Sequence, residues 1–292
     1  MTLSKFDYYG PKTVAEAVGL LGEIGEGAKV MAGGTDVLVR IRHRMLKPRA
    51  VVGLKRIEGL NGISCGPKRG LSVGATALLA DVAAHRGIRR LYPGIAEAAL
   101  GTANVQVRNM ATLAGNLCNA SPAADNAPTL LALNAELTIQ GPGGERKRPL
   151  EGFFKGPGVT DLAPEEVVTA IFVPPPAERS GTAYLHLSAR GKHDCTAVGV
   201  GVMLAMAGRK CRDARIFISA CGPTPLRAPQ AEQMLIGQVP TDKRMAEAGV
   251  RASGEALPIC DIRASADYRC RVLGVLTRRA LQAARDRAAK KG

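Results

Sequence analysis

The sequence contains no tryptophan, and tyrosine and phenylalanine supply only five residues each. Single-strand nucleic-acid binders need aromatic stacking platforms, and an aromatic content of 3% leaves few of them. No helix-turn-helix, zinc-finger or RNA-recognition signature is present. No run of about 18 apolar residues occurs, so no membrane-spanning helix is expected. The N-terminal stretch Met1 to Asp7 lacks an apolar signal region. A cytoplasmic location follows as the expectation, or export only as the passenger of a partner. Seven cysteines are present, an odd number, and none forms a CxxC pair. A disulfide framework or a dedicated metal site is therefore not expected, and most of the thiols are expected to be small buried hydrophobes. Neither a GxGxxG fingerprint leading into a helix nor a GxxxxGK[ST] loop appears.

What is present is substantial apolar content and strong positive charge. The 292 residues are 46% hydrophobic, enough for two domains with large cores. The formal net charge is +15. Such charge suits nucleic acid, and it suits a basic surface facing an acidic partner subunit equally well.

Two small-residue stretches concentrate the chemistry. In the first, Val30, Met31 and Ala32 run into Gly33, Gly34, Thr35 and Asp36. Paired glycines after a strand allow positive φ and close approach of a ligand. Successive N–H groups in such a turn form an anion-binding concavity. The second stretch runs from Thr112 to Asp125 and carries hydroxyl, amide and carboxylate groups around Gly115. An ordinary turn explains either one alone; two in one domain suit a ligand with a central pyrophosphate.

Read in order, Thr13 opens a helix with Glu16 completing a capping box, and Val14, Ala17, Val18 and Leu21 share one face. Residues 29–32 read as a short buried strand, and further strands are expected at 50–54, 71–74, 136–140 and 167–173. Helical patterns follow Gly74 (Leu78, Leu79, Val82 and Ala83) and start at Pro93 and Pro128. Gly141 to Gly144 is a hairpin turn. Pro174 to Pro176 marks a boundary, because three prolines continue neither sheet nor helix. The expected domains are 1–175 and 178–292. The second has strands at 182–189, 196–207 and 215–221, then helices at 231–235, 242–257 and 266–289, an α+β order. The last helix carries Tyr268, Val272, Val275, Leu276 and Leu281 at helical spacing, with arginines on its other face.

The motifs Ala32-Gly-Gly-Thr-Asp36, Arg108-Asn-Met-Ala-Thr-Leu-Ala-Gly-Asn116 and Asn119-Ala-Ser-Pro-Ala-Ala-Asp125 resemble the FAD-binding medium subunits of molybdenum hydroxylases of the carbon monoxide dehydrogenase, xanthine dehydrogenase and 4-hydroxybenzoyl-CoA reductase type. Further matches are Phe153 to Gly158, Tyr184 to Arg190 with Asp194, Gly222 to Ala228 and Asp261 to Arg269. They run in order over nearly the whole chain. The resemblance implies an α+β protein: a two-subdomain FAD-binding domain of the vanillyl-alcohol-oxidase-like kind, then a three-stranded antiparallel sheet with helices. It implies FAD as a non-covalent cofactor, with molybdopterin and [2Fe-2S] clusters held only in partner subunits. Those partners would be a large molybdopterin subunit and a small iron–sulfur subunit, in a heterotrimer or a dimer of heterotrimers. The implied role is electron transfer between clusters and an external acceptor or donor, with no side chain acting as acid or base.

The resemblance also implies which residues face the cofactor. Val30, Met31, Ala32, Gly33, Gly34, Thr35 and Asp36 would hold the pyrophosphate and ribose side. Thr112, Gly115 and Asn116 would form a second clamp, with Ala111, Ser121, Thr76, Thr102, Arg108 and Val168 around them. Asp125 would accept from sugar or ribityl hydroxyls, or else cap the helix before Pro128. His186 stands where many relatives carry lysine and would tune the flavin, or else be a structural strand histidine. His43, His85 and His193 are expected at the surface. Relatives usually have Gly-Gly-Asn where this chain has Ala114-Gly115-Asn116. Alanine tolerates positive φ poorly, so a slightly withdrawn loop is expected. No cysteine lies between Cys118 and Cys195, so the extra cluster of the 4-hydroxybenzoyl-CoA reductase type is not expected. Two other readings remain open: a self-sufficient flavin oxidoreductase with its own organic substrate, and a basic nucleic-acid-binding protein.

Overall fold

The computed structural model describes residues 4–191 and 194–290; Met1 to Leu3 and His193 lie outside the described residues. The chain begins with a parallel sheet of three strands, in the spatial order Asp7–Tyr9, Ala50–Gly53, Ala28–Met31. Parallel neighbours need crossover connections, and the helices Val14–Ile24 and Val37–Arg42 supply them. Thr13 Oγ1 accepts from the Glu16 N–H at 3.1 Å, and the Glu16 carboxylate accepts from the Lys12 N–H at 2.8 Å. The capping box therefore closes one residue earlier than the usual pattern. Ala17, Val18 and Leu21 turn inward as expected. The central strand Ala50–Gly53 is buried throughout, whereas Ala28–Met31 is buried only at Ala28. The expected buried strand at 29–32 is in fact an edge strand whose open side faces a cleft.

The second unit is a five-stranded antiparallel sheet ordered Ile63–Gly66, Gly70–Gly74, Val167–Val173, Glu136–Gly141, Gly144–Pro149. The chain leaves it after Gly74, forms the helices Leu79–Ala84, Arg86–Leu91, Pro93–Gly101, Val105–Arg108, Leu113–Cys118 and Asn126–Ala132, and returns at Glu136. Strand Glu136–Gly141 alternates buried and half-buried residues, the period of a sheet with one covered face. Leu71, Val73, Leu137, Ile139 and Ile171 pack with Leu113, Leu117, Leu130 and Leu131 into the largest core.

The third unit is antiparallel: Ser180–Ser188, Thr196–Ala207 and Lys210–Ser219, extended at the edge by the two-residue strand Leu226–Arg227. Helices Pro229–Gln233, Asp242–Gly254 and Ala266–Ala289 complete it. The last helix presses so closely on the sheet that a Cβ at Gly181 would stand 2.0 Å from the Ala284 carbonyl oxygen. Its buried stripe is Arg269, Leu273, Leu276, Thr277, Ala280, Leu281, Ala284 and Ala288. Tyr268 and Val275, expected on that face, are exposed. At the closest approach the helix presents Ala284 and Ala288, small residues that permit it.

Beyond Pro174 to Pro176 the third unit has a core of its own, and it also contributes to the core of the second unit. Met203, Ala205 and Phe217 of the third sheet belong to the core of the second unit. The Gly94 N–H donates to Thr182 Oγ1 at 3.1 Å, and the Tyr92 hydroxyl donates to the Pro174 carbonyl at 2.8 Å. Arg287, near the end of the last helix, forks onto Glu97 of helix Pro93–Gly101. The third unit is thereby held against helix Pro93–Gly101, which leads into Thr102 and Ala103.

Candidate functional site

A cleft of about 580 Å³ opens where the first two units meet. This falls in the usual range for small-molecule and cofactor sites, roughly 300–1,000 Å³. One side is the loop after strand Ala28–Met31. Gly34 takes φ +77°, a left-handed conformation suited to glycine. The N–H groups of Gly33, Gly34, Thr35 and Asp36 donate to no acceptor among the described residues. Four adjacent unpaired donors at a cleft wall form an anion cradle.

The opposite side is the segment 111–116, and here the structure corrects the sequence reading. Ala114 and Gly115 are not in a positive-φ turn. They lie in the first turn of helix Leu113–Cys118, where Thr112 Oγ1 accepts from the Gly115 N–H at 3.0 Å. Ala114 is therefore unstrained, and the expected reason for a withdrawn loop does not arise. Leu113 and Leu117, both fully buried, anchor the helix below.

The two sides are locked together by backbone packing. A Cβ on Gly33 would lie 2.2 Å from the Met110 carbonyl oxygen and 2.9 Å from Ala111 Cα. Asn119 Nδ2 donates to Asp36 Oδ1 at 3.2 Å. Burial pushes the Asp36 carboxyl above its ordinary range, with Arg40 opposing the shift. The segment 162–168, with Leu162, Ala163, Pro164, Glu166, Val167 and Val168, closes the wall.

Of the residues expected at the site, Val30, Ala32, Gly33, Gly34, Thr35, Asp36, Thr102, Ala111, Thr112, Gly115, Asn116 and Val168 line this one cleft. Met31, Thr76, Arg108, Ser121, Asp125 and His186 stand outside its lining. The Met31 sulfur packs near Gly34. Thr76 is buried and its N–H donates to the Leu60 carbonyl. Ser121 Oγ accepts from the Ala123 N–H at 3.3 Å in a local turn. Arg108 Nη1 donates to the carbonyls of Thr102 at 3.0 Å and Ala103 at 2.7 Å. It thereby pins Ala103 at φ +48°, which alanine rarely adopts.

Asp125 occupies the cap position of helix Asn126–Ala132 but makes no side-chain cap bond. Its Oδ1 accepts from the Tyr184 hydroxyl at 2.7 Å and the Thr196 hydroxyl at 2.6 Å, tying the helices to the third sheet. His186 is half-buried, stacked on the Tyr184 ring at 5.7 Å. Its imidazole lies against Gly101, one residue before Thr102. His43 is exposed as expected, whereas His85 is half-buried and caps helix Arg86–Leu91, its Nδ1 accepting from the Ile88 N–H at 3.3 Å. The cysteines also depart from expectation: only Cys211 and Cys221 are buried, while Cys195 and Cys260 are exposed.

Sequence reading missed Asn126. It is 1% exposed, and its Nδ2 donates to Thr102 Oγ1 at 3.1 Å and Asn116 Oδ1 at 3.0 Å. Its Oδ1 has no partner. A buried amide joining two cleft residues and leaving one acceptor open was hidden by its place beside the more conspicuous Asp125.

A parallel sheet ending in an anion cradle, faced by the start of helix Leu113–Cys118 and continued by apolar walls, has the form of a dinucleotide-binding site. Residues 4–176 match the family described as FAD binding domain in molybdopterin dehydrogenase, and residues 183–284 match the CO dehydrogenase flavoprotein C-terminal domain. The chain belongs to this family of FAD-binding subunits. It is 34% identical to the carbon monoxide dehydrogenase medium chain of Hydrogenophaga pseudoflava, covering 98% of this chain and 99% of that one. It is 30% identical to a putative xanthine dehydrogenase FAD-binding subunit of Escherichia coli, covering 95% of each. Among solved structures, carbon monoxide dehydrogenase from Hydrogenophaga pseudoflava superposes with a TM-score of 0.94 over the same shares. Quinoline 2-oxidoreductase from Pseudomonas putida 86 does so at 0.92, with 28% identity over 99% of both chains. The α+β architecture expected from the resemblance is the one observed, and the chain is a flavoprotein subunit of the oxidoreductase class.

The donor set fits FAD. The unpaired N–H groups at 33–36 suit the pyrophosphate, and the open Asn126 Oδ1 offers an acceptor beside the second clamp. Cys118 is the one cysteine lining the cleft among the described residues, and burial pushes its thiol up to about 12. The thiolate that would attack a flavin is then scarce at neutral pH. Acid precipitation is expected to release all the yellow colour into the supernatant; flavin retained in the pellet would contradict a non-covalent site.

Proposed function

We propose that this chain passes electrons between iron–sulfur clusters of a partner subunit and an external acceptor or donor, using FAD held between the two small-residue segments. Bound FAD would supply the redox chemistry; the chain binds it, orients it and excludes water. Gly33, Gly34, Thr35 and Asp36 hold the pyrophosphate from one side, and Thr112, Gly115 and Asn116 from the other. The flavin end lies toward Thr102 and Ala103, where the His186 ring stands behind Gly101. The observation that carries this reading is the row of four unpaired N–H groups facing the second clamp across a dinucleotide-sized cleft.

The large molybdopterin subunit would host the organic reaction, and the small [2Fe-2S] subunit would connect it to this chain, in a heterotrimer or a dimer of heterotrimers working in the cytoplasm. Support for a subunit role comes from the relatives, which are named as medium chains and FAD-binding subunits. Among the described residues no group of three or more metal-ligating side chains occurs, and no helix is long and apolar enough to cross a membrane. In a complex rebuilt without this chain, substrate is expected to reduce the clusters while the external acceptor receives no electrons. Wild-type acceptor reduction without this chain would refute the proposal.

A further inference from the structure

Asn126 does not line the cleft, yet it bonds to two residues that do, Thr102 and Asn116. The direction of these bonds follows from a group that has no choice. A backbone carbonyl only accepts. The Ala98 carbonyl oxygen lies 2.8 Å from Thr102 Oγ1, so the Thr102 hydroxyl proton is committed to it. Toward Asn126, Thr102 Oγ1 can then only accept, and the atom 3.1 Å away has to be the amide nitrogen. That nitrogen carries two hydrogens. The second is directed at Asn116, which presents its Oδ1 at 3.0 Å. Turning the Asn126 amide over would set its oxygen against the lone pairs of Thr102. The unpaired, buried Oδ1 of Asn126 fits this account. A buried acceptor left open is unfavourable, and Asn126 keeps this orientation because Thr102 does not permit the other.

The consequence falls on the other end of the Asn116 amide. With Oδ1 held by Asn126, Nδ2 is turned away from it. Asn116 Nδ2 donates to no acceptor among the described residues. Nor is it one of the buried side-chain nitrogens left without a partner, so it keeps access to open space. Asn116 lines the cleft. A donor with two hydrogens therefore faces the cleft from the side opposite the N–H groups of residues 33–36.

We propose that Asn126 is a positioning residue: it fixes the Asn116 amide with its nitrogen toward the cleft, so that the second segment meets the phosphates of FAD with a donor. The proposal rests on the placement of the pyrophosphate given above. An undirected amide offers a phosphate oxygen either end, one attractive and one repulsive. A directed amide removes the repulsive choice before the cofactor arrives, which is pre-organisation. The information originates in the Ala98 carbonyl and passes through Thr102 and Asn126 to Asn116. Leucine at position 126 would fill a similar volume without directing anything, since it gives no hydrogen to Thr102 or to Asn116.

The test is a double-mutant cycle on FAD affinity, measured by titrating FAD into the full chain stripped of flavin. Asn126→Leu is expected to raise the dissociation constant about tenfold, the scale of one hydrogen bond to a charged group. In an Asn116→Ala background the same change is expected to raise it less than about twofold, because the amide it directs is gone. ADP, which carries two phosphates and no flavin ring, is expected to lose affinity by the same factor as FAD. Thr102→Val keeps the shape of that side chain and removes the group that sets the polarity. It is expected to act in the same direction with a smaller effect, and it supplies an independent reading if Asn126→Leu lowers the thermal midpoint. Equal losses from Asn126→Leu in both backgrounds would mark a merely structural residue and overturn the proposal. Unchanged affinity in Asn116→Ala would show that this amide does not hold the phosphates; that placement then fails and the proposal goes with it. A loss in Asn116→Ala without one in Asn126→Leu or Thr102→Val leaves the placement standing and overturns the proposal alone.

Discussion

Replacing Gly33 by alanine is expected to lower the FAD content of the complex at least tenfold while leaving secondary structure intact. The added methyl group would stand 2.2 Å from the Met110 carbonyl oxygen and 2.9 Å from Ala111 Cα. Both neighbours are backbone, so no side chain can rotate away. The first loop must move off the second segment to relieve these contacts, which displaces the N–H groups of residues 33–36 from the cleft wall. The Asn119–Asp36 hydrogen bond, at 3.2 Å, has little slack to follow. Gly143→Ala is the matched control, because nothing lies within 4 Å of a Cβ there. Flavin released per chain, compared with far-UV circular dichroism, decides the matter. Wild-type FAD content in a folded Gly33→Ala protein would separate the two loops from the binding site.

The second large effect is expected at Arg269, which is 1% exposed. Its Nη1 donates to the carbonyls of Ala197 at 2.6 Å and Ala220 at 2.8 Å, and its Nη2 to Asp261 Oδ1 at 2.6 Å. Ala197 follows Thr196, which holds Asp125, and the Ala220 N–H donates to the Pro122 carbonyl at 2.7 Å. One guanidinium thus joins the last helix, the third sheet and the turn after the second clamp. Removing this guanidinium leaves the Ala197 and Ala220 carbonyls without their donor, at about 1–3 kcal/mol for each buried unpaired group. For a chain of this size the melting midpoint should drop on the order of 10 °C. Arg269→Lys should recover only part of this, since an ammonium cannot reproduce the fork. The Asp261 carboxyl is held below its usual range, first by the Arg263 N–H and then by Arg269. A lowered carboxyl contributes stability above its unfolded value, about pH 4, and loses it as pH falls through the folded value. The gap between wild type and Arg269→Ala should therefore narrow in acid. A midpoint unchanged at neutral pH would contradict this account of the residue.

How far the sequence could be read depends on what decided each element. Helix Ala266–Ala289 was legible at both ends, because no proline interrupts it and Ser265 Oγ accepts from the Tyr268 N–H at its start. Its buried face was legible in part: Leu276 and Leu281 are buried as their spacing implied, whereas Tyr268 and Val275 are exposed and close packing selected Ala280, Ala284 and Ala288. The first glycine loop was legible because Gly34 needs positive φ. The second segment was misread because its small residues suit both a turn and a helix start. The burial of Leu113 and Leu117 decided between them, and that is a tertiary fact. Strands Asp7–Tyr9 and Ile63–Gly66 were too short to carry a period. The wall at 162–168 reaches the cleft only through the fold of the second unit, so no local pattern announced it.

The most direct test of the account is anaerobic and compares the same flavin in two settings. The complex is mixed with its organic substrate, and cluster and flavin absorbance are followed together; this chain, carrying FAD, is then mixed with the same substrate by itself. The account predicts flavin bleaching in the complex, following cluster reduction, and none in the isolated chain over the same time. Rapid bleaching of the isolated chain would show that it oxidises the substrate unaided and would contradict its assignment as an electron-transfer subunit.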